Sequence, residues 1–219
     1  MSTATSGVEI TAVGLAADGP DGPIFRDVRL TAPAAGLTVL VGPAGAGRTS
    51  LLLALGGRFR THAGTVTVAG SRDPATARAH TALARARPGL DLEPHLFVSE
   101  TVAERRAIGG GRPTEAALDR MYDLLRVDPP GHVLIEHLAA VEQLLFAVAL
   151  AAATQPGAVL VDDVDSGLGG ADLSRVWRAL RDLADTGTTV VATATEAPRG
   201  ADAVLDLPGH HLYPRGGAA

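Results

Sequence analysis

The sequence predicts an α/β fold in which a mostly parallel β-sheet is flanked by helices. Three stretches of the chain carry this prediction. Residues 37–57 read as a buried strand, a glycine-rich loop and a leucine-rich helix. Residues 158–161 form an apolar strand that ends in two aspartates. Beyond residue 138, helical patterns alternate with apolar strands, which is typical of parallel sheets joined by crossover helices.

Short strands are expected on both sides of the glycine-rich loop. Residues 8–13 alternate between apolar and polar side chains and predict a first strand. Residues 16–23 predict a turn because they are rich in Gly, Pro and Asp. The other elements predicted in this half are strands at 28–30, 37–41 and 65–68 and a helix at 49–55.

The middle of the chain predicts a mostly helical insert, and the end returns to the sheet. Residues 72–87 predict a helix followed by a strand, and residues 88–94 a loop. The remaining predicted elements are helices at 101–108, 114–126, 138–153 and 173–184 and strands at 158–161, 188–193 and 203–207. We therefore expect one domain over residues 1–219, with a core at 7–87 and 155–212 and a helical subdomain at about 95–154.

Composition narrows the class of protein. The net charge of −5 and the absence of a basic run with interleaved aromatics argue against a nucleic-acid partner. The absence of cysteine excludes disulfides and thiol chemistry. The longest apolar run, residues 144–153, is about half of what a membrane span requires. All 19 basic residues are arginine, so an arginine where lysine is usual carries less weight here.

The loop after the strand at 37–41 has the composition of a phosphate-binding loop. Its glycines let backbone N–H groups face one point, and the positive end of the following helix lies behind them. The pattern G-x-x-x-x-G-K-[ST] is matched except at Arg48, whose longer, planar guanidinium keeps the charge and can bind two phosphate oxygens. The candidate phosphate-binding residues are Gly42, Pro43, Ala44, Gly45, Ala46, Gly47, Arg48, Thr49 and Ser50.

The two aspartates after residue 161 are the second candidate group. Asp162 is expected at the carboxyl end of its strand, where parallel sheets bind ligands, and would hold Mg²⁺ together with Thr49. Asp163 should point to the other side, and it is the candidate catalytic residue because it could polarise a water. Two aspartates after an apolar run are also common where a strand simply ends, without any metal site. The adjacent His210 and His211 are better explained as surface residues than as a metal site.

These stretches together resemble the ATP-binding cassette (ABC) ATPases, which power transporters. The resemblance covers nearly the whole chain, through residues 25–41, 64–70, 95–104 and 138–163. The last stretch is similar without a gap to the family's signature helix and magnesium-binding strand. Residues in register there are Leu138, Ala147, Ala149, Pro156 and Asp162. The resemblance implies a P-loop NTPase fold of ABC type with an N-terminal antiparallel β part, and ATP or ADP with Mg²⁺ as ligands.

Several positions depart from the family's pattern. Leu138-Ala139-Ala140-Val141-Glu142 stands where the signature L-S-G-G-Q is expected, which removes a hydroxyl and places a branched side chain where close backbone approach is needed. No aromatic residue precedes Phe25 to stack on adenine. The other departures are Arg48 for lysine, Leu92 or Asp91 for the lid glutamine, Asp163 for the catalytic glutamate, Val164 for proline, Gly169 for aspartate and Ala194 for the switch histidine.

The resemblance and its departures leave three hypotheses. The chain is a degenerate ABC-type subunit that binds Mg-nucleotide with weak or absent hydrolysis, a competent ABC ATPase, or a scaffold that binds no nucleotide. Its expected partner is a membrane-embedded transport subunit or a second nucleotide-binding subunit, in a homodimer or heterodimer. The expected location is the cytoplasm, peripheral to the inner face of the cell membrane.

Overall fold

The computed structural model describes residues 6–20 and 22–209. The strands are β1 (Ile10–Gly19), β2 (Gly22–Ala32), β3 (Leu37–Val41), β4 (Ala63–Val68), β5 (Thr81–Arg85), β6 (Ala158–Val161), β7 (Thr189–Ala194) and β8 (Ala203–Asp206). The helices are α1 (Arg48–Leu55), α2 (Pro74–His80), α3 (Val98–Ile108), α4 (Glu115–Leu125), α5 (Ala140–Ala152) and α6 (Gly170–Asp185). His210 and His211 lie outside the described residues, as does the end of the predicted core segment 155–212.

A five-stranded sheet of order β5-β6-β7-β3-β8 forms the centre of the molecule. Every pairing within it is parallel, which confirms the sheet predicted from the alternating helices and strands. The carboxyl ends of its strands therefore lie at one edge. The glycine-rich loop follows β3 and the two aspartates follow β6, so both candidate groups meet at that edge.

Successive side chains of the central strands point to opposite faces of the sheet and belong to two separate hydrophobic cores. Val159 and Val161 of β6 pack with α5 and α6, whereas Leu160 packs on the opposite face with the leucines of α1. Burial on both faces explains why these strands read as continuous apolar runs. The sheet is thus covered by α1 and α2 on one side and by the long helices α5 and α6 on the other.

A second sheet of order β2-β1-β4 is antiparallel and covers α1 from outside. Its strands extend well into residues 16–23, so the turn predicted there is wrong in extent. The Gly, Pro and Asp residues on which that prediction rested lie partly within the strands, where Asp18 pairs with Pro23 and Gly19 with Gly22. The register between β1 and β2 is irregular, with a shift between Ala12 and Leu15 beside the positive φ of Gly14. Ala16 and Ala17 are buried as strand residues.

The predicted helical insert contains α3, α4 and a short 3-10 segment at Ile135–His137. Helix α3 begins three residues before the prediction because the Glu100 carboxylate accepts the Phe97 N–H at 2.9 Å and caps it. Helix α5 joins the insert to the sheet, and its side chains from Leu144 to Ala152 are all buried. Among the described residues, no helix combines the length and the apolar character needed to cross a membrane.

Candidate functional site

The glycine-rich loop adopts the expected compact turn between β3 and α1. Gly45 and Gly47 have φ angles of 79° and 86°, which L side chains rarely adopt. A Cβ on Gly47 would also lie 2.7 Å from Cγ2 of Ile24. An open cavity of about 390 Å³ at the loop is lined by Ile24, Ala44, Gly45, Gly47, Arg48, Thr49, Ser50 and Asp163.

Not every residue of the predicted phosphate-binding set faces this cavity. The carbonyl of Pro43 accepts the N–H of Ala46, and Ala46 is buried in the core beneath the loop. A Cβ on Gly42 would lie 2.8 Å from the carbonyl oxygen of Leu207. Gly42, Pro43 and Ala46 therefore shape the loop from behind, and the residues that line the cavity are left to contact a ligand.

Asp162 is fully buried and is held by threonines from two other elements. Its Oδ2 accepts the Thr49 hydroxyl at 2.7 Å, and its Oδ1 accepts the Thr193 hydroxyl at 2.6 Å. Burial raises the pKa of Asp162, and these two hydrogen bonds oppose the rise. The adjacent hydroxyl and carboxylate oxygens suit Mg²⁺, which prefers oxygen ligands and completes its shell with water and substrate phosphates.

Arg48 turns back into the loop that it follows. One guanidinium nitrogen donates to the carbonyl of Gly42, and the other lies 2.6 Å from Oδ1 of Asp163. The residue is only 9% exposed. The Asp163 carboxylate therefore faces the loop and forms an ion pair with Arg48, whereas the Asp162 carboxylate accepts from Thr49 and Thr193.

The backbone of Asp163 is fixed in an uncommon conformation. Its φ of 48° lies in the left-handed region. The Thr193 hydroxyl oxygen accepts its N–H at 2.8 Å, and Arg85 donates to the carbonyl oxygens of both Asp162 and Asp163. Arg85 from β5 and Thr193 from β7 thus hold the turn from both neighbouring strands.

Sequence reasoning missed Arg85 and Thr193 as parts of the site. Arg85 is buried, and burial lowers its pKa. The only signal was a charged residue at the end of the mainly apolar strand β5, where a buried side chain of that kind needs a partner. Thr193 gave no signal, because a threonine is common in a β-strand.

The segment Leu138–Glu142 leads into α5, which begins at Ala140. Ala139 and Ala140 are exposed, whereas Val141 is buried in the core. Glu142 caps the helix by accepting the Ala139 N–H at 3.1 Å. The segment offers no side-chain hydroxyl to a ligand.

The other departing positions lie around the same edge of the sheet. Ala194 ends β7 beside Val41 of β3, and both its neighbours in the chain are threonines. Leu92 is buried, whereas Asp91 forms an ion pair with Arg87. Neither Ala194 nor Leu92 can replace the imidazole or the amide expected at its position, since the side chain of an alanine or a leucine cannot form a hydrogen bond.

Comparisons with known proteins agree with this architecture. The sequence profile of the family described as "ABC transporter" matches residues 25–166, which is well over half of the chain. The match includes the glycine-rich loop, the helical insert and both aspartates.

Three similar proteins are named as ATP-binding proteins. The chain is 27% identical over 207 residues to the arginine transport ATP-binding protein ArtP of Escherichia coli, covering 88% of this chain and 86% of that protein. It is 28% identical over 180 residues to the Nod factor export ATP-binding protein I of Rhizobium etli, covering 78% of this chain and 56% of that protein. A putative ABC transporter ATP-binding protein of Streptomyces avermitilis is 35% identical over 156 residues, covering 66% and 57%.

Solved structures share the fold. A dimeric bacterial ABC transporter cassette superposes with a TM-score of 0.74 at 17% identity, covering 91% of this chain and 94% of that one. An ATP-binding cassette in its ADP conformation gives a TM-score of 0.75 at 13% identity, covering 92% and 88%. These superpositions confirm the P-loop NTPase fold of ABC type. The profile match over residues 25–166 decides the family: the chain belongs to the ABC transporter ATP-binding proteins.

Proposed function

We propose that the chain is an ATP-binding subunit of an ABC transporter that binds Mg-ATP or Mg-ADP and hydrolyses ATP slowly or not at all. The observation that carries the binding part is the 2.7 Å hydrogen bond between Thr49 and Asp162. It brings the first turn of α1 and the end of β6 together, so that a phosphate at the loop and a metal beside it have ligands from both elements.

Each part of the loop has a role in this proposal. Backbone N–H groups around Gly45 and Gly47, together with the N-terminus of α1, bind phosphate oxygens. Arg48 neutralises phosphate charge, while Thr49 and Asp162 hold Mg²⁺. Bound Mg²⁺ would offset the negative charge of the phosphates.

Impaired hydrolysis is supported by the groups around the bond to be broken. Asp163 is one methylene shorter than glutamate, and its carboxylate is paired with Arg48 instead of being free to accept a proton from water. Ala139 and Ala140 supply no hydroxyl to a phosphate in a partner's site. Each lost stabilising donor typically costs about 2.7–4 kcal/mol in the transition state. The competent-ATPase hypothesis is therefore the weaker one.

The proposed partner is a membrane-embedded transport subunit, at the inner face of the membrane. A groove of about 790 Å³ runs along the open edge of β5 against α3 and α5, and its lining is mainly apolar. Ile108 lines it and is 78% exposed, and Arg105 and Arg112 stand beside it. The chain as a whole is acidic, so this local positive charge favours an apolar segment of the partner that carries acidic residues.

Co-purification from the native host tests the partner. A tagged chain should retain a polytopic membrane protein, and Ile108→Asp should lose it because a charge enters the apolar groove. Val13→Asp is the matched control, since Val13 is also exposed but lies on β1, away from the groove. Retention of a purely soluble partner, or equal retention by both variants, would contradict the proposal.

Nucleotide titration and single-turnover phosphate release test the activity. We expect Mg-ATP to bind at millimolar concentration or below and phosphate release to be slow. Rapid release that is abolished by Asp162→Asn would favour the competent ATPase. The absence of any affinity for Mg-ATP or Mg-ADP would favour the scaffold that binds no nucleotide.

A further inference from the structure

The ion pair between Arg48 and Asp163 fills the position from which Arg48 would bind phosphate. The guanidinium spans from the carbonyl of Gly42, at the start of the loop, to the carboxylate that follows β6. A carboxylate, like a phosphate, offers anionic oxygens to a guanidinium, and here Oδ1 of Asp163 accepts from one nitrogen of Arg48. Asp163 therefore gives Arg48 an anionic partner from within the chain.

The backbone of Asp163 is anchored, which keeps its side chain beside the loop. Thr193 holds its N–H and Arg85 holds its carbonyl, and the two come from strands on either side of β6. The carboxylate is a partly exposed group at the wall of the cavity, with 31% of the side chain accessible. A ligand phosphate that enters the cavity meets its negative charge as well as the positive charge of Arg48.

We propose that Asp163 acts as an internal competitor for phosphate, so that the nucleotide-free chain inhibits its own phosphate-binding loop. Phosphate binds only when the Arg48–Asp163 ion pair opens, and the free energy of that ion pair is subtracted from the affinity for nucleotide. The inference rests on the proposed nucleotide-binding function and concerns the regulation of the same site. Asp163 would thus oppose nucleotide binding, and it is also poorly placed to act as a general base for hydrolysis.

The test is the affinity for Mg-ADP, a ligand that the chain cannot turn over. Asp163→Asn removes the charge, and Asp163→Gly removes the side chain. Both residues tolerate the left-handed φ of 48° at this position, so both variants should fold. We expect each to bind Mg-ADP up to about fivefold more tightly than the wild type, the gain expected when one charge pair no longer has to be broken.

Asp182→Asn is the matched control. Asp182 also pairs weakly with an arginine, Arg126, but it lies on α6, so its substitution tests the effect of one unit of net charge alone. Its affinity for Mg-ADP should equal that of the wild type. Circular dichroism melting curves establish that each variant is folded.

The outcomes separate the two proposals. If the wild type binds Mg-ADP and both Asp163 variants, though folded, bind it equally or more weakly, internal competition is refuted while the nucleotide-binding function stands. If only the Asp163 variants bind, both proposals are supported. If no folded variant binds, the proposed function fails, and internal competition fails with it.

Discussion

At the scale of single residues, the site is built around one buried carboxylate. Asp162 has no exposed surface and accepts two threonine hydroxyls. Burial of an unpaired carboxylate is costly, and here the pKa of Asp162 is raised by that burial. Asp162 is therefore well suited to bind a cation, because a bound metal would offset the free-energy cost of burying its charge.

Asp162→Asn should abolish the effect of Mg²⁺ on nucleotide affinity. Asparagine retains the size and can still bond to both hydroxyls, but it lacks the charge that attracts the cation. We expect the wild type to bind fluorescent ADP at least about tenfold more tightly with Mg²⁺ than with EDTA, equivalent to about 1.4 kcal/mol. The variant should bind equally in both buffers. Retained Mg²⁺ dependence in the variant would place the metal elsewhere.

The residues of the loop and Asp162 could be predicted from the sequence, because their spacing and their position after apolar strands are local signals. The pairing of Arg48 with Asp163 could not. The two residues are 115 positions apart in the sequence, and their pairing depends on the orientation of both side chains. It also depends on Arg85 and Thr193, which hold the backbone of Asp163 from two other strands. Side-chain direction at a turn with positive φ leaves no periodic pattern in a sequence.

At the scale of elements, Asp202 links β3, β8 and helix α6. Its Oδ2 accepts the N–H of Leu37, the first residue of β3, at 2.7 Å and also the guanidinium of Arg181 on α6 at 2.6 Å. It directly precedes β8. The hydrogen bond from Leu37 and then that from Arg181 lower the pKa of Asp202. The charged form is therefore favoured in the folded chain.

Asp202→Asn should lower stability near neutral pH and lose that effect in acid. Because the folded-state pKa is depressed, the stabilisation is present above the unfolded pKa of about 3.9 and is lost as pH falls through the folded value. The side chain is partly exposed, so we expect a difference of only about 0.5–1 kcal/mol near pH 7. Urea unfolding of both chains at several pH values measures it. A difference that grows as the pH falls would contradict the assignment.

Element positions were predictable where burial on both faces leaves an unbroken apolar run. Strands β3 and β6 have the predicted bounds for this reason. The turn predicted at residues 16–23 was wrong in extent because Gly, Pro and Asp also occur within the paired strands, where Asp18 pairs with Pro23 and Gly19 with Gly22.

At the scale of the whole molecule, helix α5 connects the helical insert to the central sheet. It packs on β5 and β6 and also contacts α4 and α6. Phe146 near its middle is fully buried, and its ring lies 6.3 Å from that of Tyr122 on α4. The core of the insert and the core beneath the sheet are therefore one continuous cluster.

Phe146→Ala should destabilise the insert and the sheet together. A large-to-small change of this kind typically costs about 3–5 kcal/mol. We expect a single unfolding transition at lower urea concentration, seen equally by Trp177 fluorescence and by circular dichroism. Phe97→Ala is the control, because Phe97 is 41% exposed and should cost much less. Two separate transitions in Phe146→Ala would mean that the insert unfolds independently of the sheet.

The central claim is that the chain holds Mg-nucleotide but lacks the machinery to hydrolyse it. Rapid filtration of an excess of the chain mixed with radiolabelled Mg-ATP tests it most directly, since the label retained on the protein can be identified as ATP or ADP over time. We predict that label is retained and remains ATP over many minutes. Rapid conversion of the bound label to ADP, or no retained label at all, would contradict the account.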